Sequence, residues 1–145
     1  MQKEVESLQE FEALAAEFAR GLARRETATL VALSGELGAG KTAFTKAVAK
    51  ELGVTGIVNS PTFVLEKIYA LPEGGVFTKL VHIDAYRLES GKELAPLALD
   101  TLLAEPRTLI FLEWPERVAG ALPEPAHRVS IETRAGSARR VTISP

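Results

Sequence analysis

The sequence of 145 residues predicts an α/β fold, a three-layer sandwich built on a mixed, partly antiparallel sheet. Three observations lead there. Apolar runs of strand length alternate with stretches whose apolar residues recur at helical spacing. A glycine-rich segment joins the first such run directly to a helix-like stretch, giving a strand–loop–helix order. Two further runs, at 62–70 and 76–84, are separated by only Leu71-Pro72-Glu73-Gly74-Gly75, which leaves no room for a parallel crossover. The sheet is therefore not all parallel, and residues 1–145 read as one domain.

Each element has its own signal. Ser7 followed by Glu10 reads as a capping box, and Leu8, Phe11, Leu14, Ala15, Phe18 and Leu22 then mark one face of a helix to about residue 24. That apolar stripe is expected to pack on the sheet. Residues 28–33 form the first strand. A helix over about 41–52 carries Phe44, Val48 and Leu52 and is stopped by Gly53. The stretch 56–59 is short and ambiguous. Residues 62–70 are β-branched and aromatic enough for a strand, 71–75 form a turn, and 76–84 return. A helix lies within 92–105, interrupted or started afresh around Pro96. Residues 108–113 make a buried strand, and Pro115 suits the first turn of a short helix ending near Gly120. The strands 127–133 and 139–144 flank the turn Arg134-Ala135-Gly136-Ser137 as a second hairpin.

Composition narrows the chemistry. Hydrophobic residues make up 46% and charged residues 25%, ordinary for a globular protein. A net charge of −2 gives no global basic field of the kind that advertises nucleic-acid binding. With no cysteine, disulfides, cysteine nucleophiles and thiolate metal sites are excluded together. The acidic first twenty residues do not read as a signal peptide, and no apolar run approaches a membrane span, so a cytoplasmic location is expected.

The segment Gly35-Glu36-Leu37-Gly38-Ala39-Gly40-Lys41-Thr42 has the G-x-x-x-x-G-K-[ST] spacing of a phosphate-binding loop. Its glycines leave no side chains in the way, so backbone N–H groups can face phosphate oxygens, and they are free to take positive φ. The helix beginning near Lys41 adds the positive end of its dipole. Lys41 is assigned to the β- and γ-phosphates and the Thr42 hydroxyl to Mg²⁺. The residues assigned to the nucleotide are Glu36, Leu37, Gly38, Ala39, Gly40, Lys41, Thr42 and Ala43, with Thr62 from a later loop. A Gly-rich turn before a helix would match the letters, but not the strand before and the helix after. The fold class is accordingly P-loop NTPase-like, and the ligand a nucleoside triphosphate.

Two apolar strands end in acids, Leu80-Val81-His82-Ile83-Asp84 and Thr108-Leu109-Ile110-Phe111-Leu112-Glu113. In open α/β sheets ligands lie at the carboxyl ends of strands, which puts both acids beside the loop. A carboxylate there holds Mg²⁺, directly or through water, or orients an attacking water. Asp84 and Glu113 are therefore the metal candidates with Thr42, and the catalytic candidates with Lys41. Sequence does not divide the two tasks between them. A helix cap or turn residue at Asp84 and a solvated strand end at Glu113 are the structural alternatives. His82 shares a strand face with Asp84 and is assigned at most a supporting role, since a histidine inside an apolar strand is more often core. Pro61 stiffens Ser60-Pro61-Thr62-Phe63 and presents Thr62 from a defined loop, where nucleotide switches sense the γ-phosphate. A turn leading into a strand accounts for the same letters equally well. Trp114 either fills the core or moves with the nucleotide.

Together these segments resemble one family. Gly-Glu-Leu-Gly-Ala-Gly-Lys-Thr, Ser-Pro-Thr-Phe, His-Ile-Asp-Ala-Tyr-Arg-Leu and Glu-Trp-Pro-Glu occur in the order and spacing of the TsaE family, bacterial ATPases of tRNA threonylcarbamoyladenosine biosynthesis. The likeness covers nearly the whole chain, and the motifs at 60–63, 82–88 and 113–116 are far more specific than the loop. It implies ATP and Mg²⁺ as cofactors and ATP hydrolysis, which the want of a definite arginine finger would make slow without a partner. It also implies association with a TsaB–TsaD complex that ATP hydrolysis resets between turnovers. Contact with tRNA would then be indirect, through that complex. By the same likeness Lys41 and Thr42 serve the phosphates and Mg²⁺, Asp84 the acidic Mg²⁺-site position, Glu113 the acid before Trp-Pro, and Thr62 the switch-like loop.

Two other functions share the loop. A small-molecule kinase would need an arginine-bearing lid, whereas 60–90 reads as a hairpin. A nucleotide-sensing module would bind without hydrolysis. ATP is favoured over GTP because no Asn-Lys-x-Asp segment occurs. Arg87 and Arg117 are the arginine-finger candidates, with surface salt bridging an equal explanation for each. Arg134, Arg139 and Arg140 read as a solvated turn.

Overall fold

The computed structural model describes residues 1–56, 58 and 66–145, with backbone alone at 95–97. Its strands are β1 (Gln2–Val5), β2 (Thr29–Gly35), β3 (Glu66–Ala70), β4 (Lys79–Asp84), β5 (Thr108–Glu113), β6 (His127–Thr133) and β7 (Arg139–Ser144). Its α-helices are α1 (Leu8–Arg20), α2 (Lys41–Glu51) and α3 (Leu99–Ala104), with 3-10 turns at Gly91–Leu97, Pro115–Arg117 and Ala119–Ala121.

The described strands form one seven-stranded sheet in the order β1-β7-β6-β2-β5-β4-β3. Strands β6, β2, β5 and β4 run parallel. The short connection at 71–78 makes β3 antiparallel to β4, and the final hairpin makes β7 antiparallel to β6. The expected mixed sheet is what forms.

Strand alternation sends apolar side chains to two cores. Val31, Leu33, Leu80, Leu109 and Phe111 pack with Phe11, Leu14, Phe44 and Val48 of α1 and α2. Leu30, Val81, Ile83, Ile110 and Leu112 face the other way, onto Leu94, Leu99, Leu102 and Val118. Strands buried on both faces read as continuous apolar runs, and β2 and β5 do. The first helix packs on both its neighbour and the sheet. Phe11 and Phe18 lie 5.9 and 5.7 Å from Phe44, and Phe18 also reaches Phe111 of β5 at 6.4 Å and His127 of β6 at 5.5 Å.

Several boundaries differ from expectation. Strand β1 has no sequence signal; it pairs antiparallel with β7 and buries only Val5. Helix α1 ends at Arg20, where the N–H of Gly21 closes the last turn onto Glu17 and Phe18. Ser7 Oγ accepts from Glu10 N at 3.1 Å, but the Glu10 carboxylate reaches the N–H of Glu6, one residue earlier than a capping box requires. The 92–105 helix is two pieces hinged at Ala98, which adopts φ 51° and ψ 42°. The short helix after Pro115 is a pair of 3-10 turns. Strand β4 starts at Lys79 because Thr78 N–H turns aside to Arg107 O. Residues 62–65 of the expected strand lie outside the described residues. Among those described, no helix is long and apolar enough to cross a membrane.

Candidate active site

Three parallel strands end level with one another. Leu33 of β2 and Asp84 of β4 both pair with Glu113 of β5, so the chain leaving β2 enters the glycine-rich loop beside both acids. The loop's course depends on glycine at its ends. Gly35 has φ 153°, and a Cβ there would stand 2.6 Å from the Ile131 carbonyl oxygen of β6. Gly40 has φ 118° and caps α2, with no side chain bonded to the helix's first N–H groups. Those N–H groups have no intrahelical partner and the positive end of the dipole lies among them. Leu37, Gly38, Gly40, Lys41, Thr42 and Ala43 line a cleft of about 370 Å³ with Asp84, Tyr86, Glu113 and Trp114.

Lys41 is 4% exposed. Its Nζ donates to the carbonyl oxygens of Gly35 at 2.5 Å and Glu36 at 3.0 Å, and lies 4.1 Å from the centre of the Trp114 ring. Burial lowers its pKa from the ordinary 10.5, opposed by the negative charges of Glu113, Asp84 and Glu116. The ammonium is thus held by acceptors that an anion of higher charge can replace.

Glu113 is 3% exposed, and one of its oxygens, Oε2, collects two contacts. Thr42 Oγ1 donates to it at 3.3 Å, and His82 Nε2 lies 2.5 Å away. Asp84 is 8% exposed, and its Oδ1 accepts from Tyr86 N–H at 2.9 Å, which fixes the turn leaving β4. Thr42, Asp84 and Glu113 thus supply a hydroxyl and two carboxylates. This all-oxygen set suits a hard divalent cation such as Mg²⁺, which keeps waters and takes few protein ligands. Among the described residues no cluster of three or more His, Cys, Asp or Glu is built to hold a metal alone, so phosphate oxygens would have to complete such a site.

The far wall is aromatic. Trp114 adopts φ 62° and ψ 52°, a left-handed conformation uncommon for a bulky residue. Its N–H bonds to Leu33 O at 3.2 Å, so the bend is tied to the end of β2. The bend lays the indole over Lys41 and 4.9 Å from the Tyr86 ring. The Arg117 guanidinium lies 5.4 Å from the centre of the Tyr86 ring, and Arg87 is exposed.

Every assigned loop residue lies in one stretch of backbone, and Asp84 and Glu113 reach the same cleft as Lys41 and Thr42. Two loop residues face elsewhere: the Glu36 carbonyl takes Lys41, and the buried Ala39 presents its carbonyl to Arg139 Nε at 3.0 Å. Thr62 and the rest of 59–63 lie outside the described residues. Sequence reasoning missed Tyr86, whose signal was its place two residues beyond Asp84. It also missed a second hollow, of about 280 Å³, on the other side of the loop, where Gly38, Ala39, Gly40 and Ala43 meet Ser7, Leu8, Phe11, Ser137 and Arg139. Arg139 is therefore no solvated turn residue but a brace between β7 and the loop. Arg140 is also engaged, bonded to Glu4 on β1 at 2.9 Å.

Comparison with known proteins points one way. The family model described as threonylcarbamoyl adenosine biosynthesis protein TsaE matches residues 5–141. The tRNA threonylcarbamoyladenosine biosynthesis protein TsaE of Streptomyces coelicolor is 42% identical over 120 residues, covering 79% of this chain and 78% of its own. Its namesake in Bacillus subtilis is 37% identical over 115 residues, covering 79% of this chain and 68% of its own. The crystal structure of Bacillus subtilis YdiB aligns with a TM-score of 0.77 at 29% identity, over 99% of this chain and 83% of that one.

Proposed function

The chain belongs to the TsaE family of tRNA threonylcarbamoyladenosine biosynthesis, and from this premise we propose that it binds ATP with Mg²⁺ and hydrolyses it slowly to act on a TsaB–TsaD complex. The observation that carries the proposal is the meeting, in one cleft, of an uncapped helix start, Lys41, Thr42 and two strand-end carboxylates. Each part has a task. The N–H groups of Gly38 to Ala43 bind phosphate oxygens in place of a capping side chain. Lys41 leaves the Gly35 and Glu36 carbonyls for the β- and γ-phosphates, exchanging neutral acceptors for charged ones. Thr42, Asp84 and Glu113 hold Mg²⁺ or its waters, and whichever acid is not so engaged orients the attacking water. Mg²⁺, when bound, offsets the charge on the β- and γ-phosphate oxygens. The hollow beside Phe11, Ser137 and Arg139 adjoins the other end of the cradle and has the size for a nucleoside.

Slow turnover follows from charge. Among the described residues lining the cleft, Lys41 is the one cation; Arg117, over the Tyr86 ring, is not one of them. A transition state in phosphoryl transfer needs more positive charge than that, which a partner would supply. Contact with tRNA is accordingly indirect. The proposed place of action is the cytoplasm, in keeping with the family's part in tRNA modification.

The test is phosphate release from ATP and from GTP, with Mg²⁺ or EDTA, by the chain alone and with TsaB–TsaD. Slow, Mg²⁺-dependent, ATP-selective release that rises with the complex is expected. Titration calorimetry without heat from Mg-ATP would overturn the reading, as would fast turnover by the isolated chain.

A further inference from the structure

His82 carries none of the roles assigned above, yet it is 0% exposed and its Nε2 lies 2.5 Å from Glu113 Oε2. Its other ring nitrogen, Nδ1, is buried with no partner among the described residues. An ionised carboxylate only accepts, so this contact requires the ring hydrogen on Nε2. Thr42 donates to the same oxygen, and no described donor reaches Oε1. The two donors are not equal. The Thr42 contact is the longer one, at 3.3 Å, and its hydroxyl would also be engaged by a metal, so the ring on β4 is the closer anchor. A strand-mounted, fully buried imidazole has little freedom, whereas a glutamate has three torsions to restrain.

We infer that His82 is a positioning residue: its Nε2–H pins Oε2 of Glu113 so that Oε1 is the oxygen presented to the phosphate side of the cleft. The inference rests on the proposed ATPase function. A histidine that merely filled the core would leave Nε2 as dispensable as Nδ1. Instead, among the described residues, the one polar contact the ring makes is to an acid of the candidate site.

Glutamine places its amide nitrogen near the position of Nε2 and asparagine near that of Nδ1, so the pair separates positioning from packing. His82→Leu should lower kcat for Mg-ATP about 10- to 100-fold, the loss usual for an orienting partner, with KM within a few-fold of wild type. His82→Gln should recover most of the rate and His82→Asn should not. In nucleotide-free protein, long-range ¹H–¹⁵N spectra should place the ring hydrogen on Nε2, with signals that move in Glu113→Gln. Wild-type kcat in His82→Leu would overturn the inference, as would equal losses in the Gln and Asn variants or a ring hydrogen on Nδ1. If the Leu variant fails to fold, the Gln/Asn comparison and the spectrum decide. A wild-type chain that bound no ATP would end the functional reading, while the spectrum still decided the hydrogen bond.

Discussion

At the scale of the residue, Lys41 illustrates how much of a site a few letters specify. The motif and its strand–loop–helix context assign its side chain to phosphates, and it lies in the cleft, bound meanwhile to Gly35 O and Glu36 O. Removing it deletes one charge-assisted interaction, typically about 1.5–3 kcal/mol. Lys41→Ala should therefore weaken ATP binding roughly 10- to 100-fold, read by calorimetry, and alter Trp114 emission even without nucleotide by removing the cation 4.1 Å from the ring. The glycines make a sharper contrast. A methyl at Gly35 meets the Ile131 carbonyl at 2.6 Å, whereas at Gly38, with φ 81°, nothing stands within 4 Å. Gly38→Ala should cost about 1 kcal/mol of backbone strain. Gly35→Ala should cost about 2–4 kcal/mol, since β2 and β6 must part, and urea denaturation of the two variants would show that order. The position of Tyr86 was not legible, because it follows from how Asp84 Oδ1 turns the chain and from the left-handed bend at Trp114.

At the scale of the element, legibility tracked the length of the pattern. The apolar runs of β2 and β5 and the period of α1 were readable because burial repeats along them. Strand β1 was not, having one buried residue in four and a partner, β7, at the other end of the chain. The hinge at Ala98 was read as an interruption near Pro96, two residues early, since proline forbids a continuous α-helix without saying where the chain bends. The start of α1 offers a local test. Ser7→Ala should cost about 1 kcal/mol through the lost Glu10 N–H bond, measured by thermal or urea unfolding. At the other end of α1, the His127 ring of β6 packs edge-on against Phe18 at 5.5 Å. Burial, and then the charge of Arg25, lower its pKa below the ordinary 6.5. The unfolded chain thus binds more protons between the lowered value and 6.5, so stability rises with pH across that window. On acidification below 6.5 the wild type should lose this contribution, and in His127→Phe that part of the slope should vanish from a pH series of denaturation midpoints.

At the scale of the whole molecule, the parallel order β6-β2-β5-β4 gathers the loop, Asp84 and Glu113 at one edge, an arrangement that strand-end acids and an α/β pattern made legible. The bracing of the loop by Arg139 was not, because 100 residues separate Arg139 from Ala39 and only the assembled fold brings them together. At this gathering hydrolysis and mere binding can be separated by one substitution. Glu113→Gln keeps the shape and a polar group beside Thr42 and His82 but removes a negative charge from the cleft. It should therefore retain Mg-ATP binding within about tenfold while hydrolysis falls by about 10²-fold or more. If turnover resets the TsaB–TsaD complex, the variant should support one round of threonylcarbamoyl transfer and then stall, because bound nucleotide is no longer cleared. Measuring product per complex over time separates the possibilities. A burst near one equivalent followed by a plateau places the reset in the ATPase step, whereas wild-type multiple turnover by a hydrolysis-dead Glu113→Gln chain would make nucleotide binding alone sufficient.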